Sequence, residues 1–86
     1  MERMSVLEKE VSRVLEDLEP LLIKVFDKGL NVELYVYTPR NRLTVSDVMA
    51  VVEKGMEHLP EFALDTLEWV GETGFIRAFW RKESGR

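Results

Sequence analysis

The sequence predicts an α+β fold, a two-layer sandwich in which helices cover one face of a small sheet. Three observations carry this reading. Apolar residues recur at helical spacing from Met4 onward and again from Val45 onward. Other stretches, Leu30 to Tyr37 and the last third of the chain, alternate apolar and polar residues with the period of two that marks strands. The 86 residues also hold one domain, taken as 1–86, and leave no room for a second.

The first segment reads as a helix over 3–28. Met4, Leu7, Val11, Val14, Leu18, Leu21 and Val25 form a heptad seam, widened by Leu15 and Leu22. A widened stripe suits a helix lying on a core better than a free two-stranded coil. Pro20 interrupts it: proline has no N–H and its ring crowds the carbonyl of Glu16, so the helix is expected to kink or break there. A straight helix from Met4 to Val25 would run ~33 Å, close to the full width of a globule this size, which also favours a bend. Gly29 stands where helices commonly close.

Residues 30–37 read as a strand, with Leu30, Val32, Leu34 and Val36 on one face and Asn31, Glu33, Tyr35 and Tyr37 on the other. Thr38-Pro39-Arg40-Asn41-Arg42 has turn chemistry. A second helix follows over 45–59, capped by Thr44 or Ser46, with Asp47 near the positive end of its dipole. Its apolar stripe is Val45, Val48, Met49, Val52, Met56 and Leu59, which makes Met49 and Met56 core residues. Gly55 inside this stripe weakens the helix by roughly 1 kcal/mol relative to alanine, which a close approach to the sheet or to the first helix would explain.

Residues 62–70 and 75–82 form a hairpin through Gly71-Glu72-Thr73-Gly74. Setting Val70 opposite Phe75 also pairs Trp69 with Ile76, Glu68 with Arg77 and Leu67 with Ala78. Unlike charges opposite one another favour this register. It places Leu67, Trp69, Ile76, Ala78 and Trp80 on one face, and Leu64, Thr66, Glu68, Val70, Phe75, Arg77, Phe79 and Arg81 on the other. The assembled order is α-β-α-β-β. It gives a three-stranded mixed sheet with a parallel β-α-β crossover and both helices on one face.

Composition excludes more than it selects. Zero cysteines remove disulfides, thiolate metal sites and cysteine nucleophiles, and the one histidine, His58, removes most histidine-based chemistry. His58 reads as a helix-end residue. Pro60 disrupts any ligand spacing among Glu57, His58 and Glu61, so neither a metal nor another cofactor is expected. No nucleophile–base pair is identifiable and Gly71–Gly74 lacks the lysine of a phosphate loop, so the chain reads as non-enzymatic. No apolar run approaches the ~18 residues of a membrane span, and residues 1–3 open onto an amphipathic segment rather than a signal peptide, so a cytoplasmic location without membrane contact is expected. Absence of glutamine and cysteine beside 33% charged residues resembles the bias of thermophile proteins.

The face left uncovered by the helices is the candidate site. Tyr35, Tyr37, Leu64, Val70, Phe75 and Phe79 would there present an apolar patch to water, and such patches mark interfaces. A homodimer, face to face or edge to edge, is the first expectation, with a further protein partner in the same class. The alternative is single-stranded RNA or DNA. Phe75, Arg77, Phe79 and Arg81 alternate stacking rings with phosphate-binding cations, and Arg40 and Arg42 extend the track. Against it stand Glu33 and Glu68 on that face and a net charge of -4.

Overall fold

A computed structural model describes residues 3–39 and 43–83. Helix α1 (Arg3–Val14) leads through a 3-10 turn (Glu16–Leu18) into strands β1 (Leu22–Asp27) and β2 (Asn31–Tyr37). Helix α2 (Val45–His58) then precedes the hairpin β3 (Phe62–Val70) and β4 (Phe75–Lys82). The class is α+β, as expected, with two helices on a four-stranded sheet of spatial order β1-β2-β4-β3.

The element order differs from the expected α-β-α-β-β. The helix assigned to 3–28 ends at Val14, and residues 22–27 of that span form strand β1. Glu19 adopts a left-handed conformation, φ 53°, which turns the chain, and Pro20 then bars the helix from restarting with a full set of hydrogen bonds. Ile23 and Val25 pack against the core while Lys24 points away, the alternation of a half-buried strand. The Gly29 φ of 83° serves a β-hairpin turn between β1 and β2, not a helix cap, and its N–H donates to Asp27 Oδ1 at 2.9 Å. Leu30 falls in that turn, exposed, outside the strand it was assigned to.

With β1 present the sheet has four strands, and every neighbouring pair is antiparallel, where a three-stranded mixed sheet was expected. The crossover survives in altered form. β2 and β3 run parallel to one another, since each is antiparallel to β4, but β4 lies between them.

One face of the sheet forms the core. Val32, Leu34 and Val36 of β2 and Ile76, Ala78 and Trp80 of β4 are buried against Met4, Leu7 and Val11 of α1, Leu15 and Leu18 beyond it, and Val48 and Val51 of α2. The buried stripe of α2 is Val48, Val51, Val52 and Gly55. It is rotated from the expected one, so Val45, Met49 and Met56 lie on the surface rather than in the core. The helix begins as anticipated: Thr44 Oγ1 accepts the Asp47 N–H, and Asp47 Oδ2 accepts the Thr44 N–H at 2.9 Å, a reciprocal capping box.

Both free edges of the sheet carry modifications. On β1, Val25 donates its N–H to Glu8 Oε2 of α1 at 2.9 Å, which occupies a donor that would otherwise face solvent. On β3 the register with β4 shifts at Asp65, so that Leu64 opposes Trp80 and Thr66 opposes Phe79. This bulge carries Leu64 onto the core side, where it packs against the buried cluster, and removes it from the open face where strict alternation placed it.

Candidate interaction face

The second face of the sheet has no covering element among the described residues. Its side chains are set by the four-strand register in rows that run across the strands from β1 to β3. The first row is Leu22, Tyr37, Phe75 and Val70. The next is Lys24, Tyr35, Arg77 and Glu68, and the third is Phe26, Glu33, Phe79 and Thr66. At the far end stand Asn31, Arg81 and Ala63.

Five of the six residues expected at an interface therefore share this face: Tyr35, Tyr37, Val70, Phe75 and Phe79. Leu64 does not. The expected register of the hairpin holds from Val70–Phe75 to Leu67–Ala78, and Leu64 departs from it only through the bulge. Leu22, Lys24 and Phe26 join the face without having been anticipated. They sit on β1, whose period-two alternation was masked by a heptad spacing that Val25 fits equally well.

The first row is the most apolar part of the face. Leu22, Tyr37 and Val70 each keep 45% of their surface exposed, and Phe26 keeps 43%, high values for side chains of this size. A shallow groove of about 520 Å³ runs beside this row, lined by Leu22, Phe26, Tyr35, Tyr37 and Phe75 together with Lys24, Lys28 and Glu33. The Phe26 and Tyr35 rings that line it meet edge to face, their centroids 5.8 Å apart.

The polar groups on the face are largely engaged with one another. Tyr35 donates its hydroxyl to Glu33 Oε1 at 2.9 Å, and Lys28 Nζ approaches Glu33 Oε2 at 3.4 Å. The hydrogen bond from Tyr35 is the main reason that the Glu33 carboxyl lies below the ordinary carboxylate range; partial desolvation opposes it, and the charges of Lys28 and Arg77 add to it. Arg77 lies over the Phe79 ring at 5.8 Å and bonds Glu68 at 3.3 Å, while Arg81 bonds Asp65 at 2.9 Å. Arg77 and Arg81 of the expected nucleic-acid track thus share the face with Phe75 and Phe79, but each already has a carboxylate partner. Arg40 and Arg42 lie outside the described residues.

Such a surface suits non-covalent contact. Its apolar row offers area to bury, and its charges other than Lys24 are paired with one another. Among the described residues no group of three His, Cys, Asp or Glu is placed to hold a metal ion, and no helix is long and apolar enough to cross a membrane. No model of a known protein family matches the chain, and no curated protein matches it.

Proposed function

We propose that the chain is a small, cytoplasmic, non-enzymatic assembly module that pairs with a second copy of itself through the open face of its sheet. The observation that carries this reading is the row Leu22–Tyr37–Phe75–Val70, four large apolar side chains abreast on a face that no element covers among the described residues. The largest exposed apolar patch on a protein is often a functional contact surface. Strands ~4.8 Å apart with ~7 residues each make a flat face of ~450 Å². Two such faces, corrugated by their side chains, approach the ~1,200 Å² at which specific interfaces begin.

Small-angle X-ray scattering tests the proposal. A dimer gives a forward scattering of twice the 10.0 kDa chain mass and a radius of gyration well above the 12.4 Å of one copy. Scattering that stays at the single-chain values across the micromolar range sinks the reading.

A second reading places single-stranded nucleic acid on the same face. It is favoured by the alternation of Phe75, Arg77, Phe79 and Arg81, with Tyr35 and Tyr37 alongside. A phosphate would have to displace Glu68 from Arg77 and Asp65 from Arg81, and Glu33 would repel it, so this reading ranks second. Titration with a fluorescent oligonucleotide separates the two. Salt-sensitive binding that is lost in both Arg77→Ala and Phe79→Ala supports nucleic acid; absence of binding at low salt removes it.

A further inference from the structure

The open face is polarised in two directions. Across the strands the two outer margins differ in sign, with Lys24 on β1 and Asp65 and Glu68 on β3, while Glu33 on β2 and Arg77 and Arg81 on β4 stand between them. Lys24 has no ion-pair partner among the described residues. Glu68 shares Arg77 at 3.3 Å but leaves 57% of its side chain exposed, so it has oxygen surface to spare. Along the strands the face runs from the apolar row of Leu22, Tyr37, Phe75 and Val70 to the polar end at Asn31 and Arg81.

These two gradients restrict how two copies can meet. Aligned sheet packing keeps the strand directions of the two sheets within about 30°, and a closed pair of identical chains uses a two-fold axis. Between two facing sheets that axis runs either across the strands or along them. An axis across the strands sets each strand over itself and inverts the rows. The apolar row then falls on the polar end, and Lys24 and Lys28 of both copies crowd one margin. An axis along the strands keeps every row at its own level and sets β1 over the partner's β3. Apolar row then meets apolar row, Tyr37 against the partner's Phe75 and Leu22 against the partner's Val70. One level along, Lys24 meets the partner's Glu68.

Resting on the self-association proposed above, we infer that the two copies are related by a dyad parallel to the strands, passing between β2 and β4, and that the ion pair of Lys24 with the partner's Glu68 closes both margins of the interface. The row order and the opposite signs of the two outer margins favour the same axis. The product is a four-layer stack, helices outside and two sheets within.

Charge reversal tests the axis apart from the pairing. Lys24→Glu sets two carboxylates face to face at each margin, and Glu68→Lys sets two ammonium groups there. Each single variant is expected to raise the dimer dissociation constant at least tenfold while its circular dichroism stays that of the folded chain. An equimolar mixture of the two single variants is expected to form a mixed dimer, seen by native mass spectrometry, with an affinity near that of the unsubstituted chain. In that mixed dimer both margins regain an opposite-charge pair. The doubly substituted chain likewise recovers self-association. If the unsubstituted chain does not dimerise, the proposed function itself fails. If it dimerises but the mixture associates no better than the single variants, or Lys24→Glu strengthens the dimer, the dyad is overturned and the pairing stands.

Discussion

Gly55 of α2 lies directly against the indole of Trp80 in β4, so that a methyl group at position 55 would overlap the six-membered ring. Trp80 is fully buried and cannot swing away without leaving the core. The helix therefore accepts a poor helix former so that it can sit close to the sheet. Gly55→Ala gains about 1 kcal/mol of helix propensity but overpacks the core, at a cost of typically 1–3 kcal/mol. The expected net result is a loss of stability, read as a lower urea midpoint with an unchanged slope. A midpoint that rises would show that α2 can move off the sheet.

The edge of β1 is closed by a side chain from another element. Glu8 accepts the Val25 N–H, and without it that donor faces water on an open strand edge. Glu8→Ala is expected to cost about 1 kcal/mol and to speed hydrogen exchange at the Val25 amide above that of its strand neighbours. Glu8→Gln keeps an acceptor oxygen and should preserve most of the protection. Equal exchange at Val25 in all three proteins would remove Glu8 from this role.

Acid should act on the open face through Glu33. Its carboxyl is held below the ordinary carboxylate range, first by the Tyr35 hydroxyl, with Lys28 and Arg77 adding to the effect against partial desolvation. A carboxyl depressed on folding contributes stability that is present above its unfolded pKa and lost as the pH falls through the folded one. Stability should therefore decline as the pH drops through and below the ordinary carboxylate range. Glu61, depressed chiefly by its hydrogen bond from Arg3, adds to the same decline. Tyr35→Phe removes the main cause at Glu33. In an NMR titration the Glu33 midpoint is expected to move up toward the ordinary range, and the acid-induced loss of stability should shrink. An unmoved midpoint would show that the phenol does not hold the carboxylate in solution.

Much of this architecture is legible in the residues, and the misread parts have physical causes. The β3–β4 register followed from Glu68 opposing Arg77 and from glycines flanking the turn. The α2 start followed from Thr44 and Asp47. Residues 18–28 misled because two periods coincide there. Val25 faces the core as a heptad position and also as an alternate strand position, and Gly29 suits a helix end as well as a hairpin. Leu21 and Ile23 decide the matter, since the heptad buries Leu21 whereas the folded chain exposes it and packs Ile23 inward. The bulge at Asp65 left no local mark, because nothing in Leu64-Asp65-Thr66 distinguishes a bulged strand from a regular one. The open face was foreseen on β2, β3 and β4 and missed on β1, for the same reason that β1 was missed.

If a second copy covers the open face as proposed, it meets Tyr37, which stands in the middle of the apolar row between Leu22 and Phe75. Sedimentation equilibrium of the unsubstituted chain beside Tyr37→Lys addresses this most directly, because Tyr37 is half exposed and its replacement leaves the buried cluster intact. The expected result is a mass of twice 10.0 kDa for the unsubstituted chain at micromolar concentration and a single-chain mass for the variant. A single-chain mass for both, or a dimer that Tyr37→Lys leaves undisturbed, would rule out pairing through the open face.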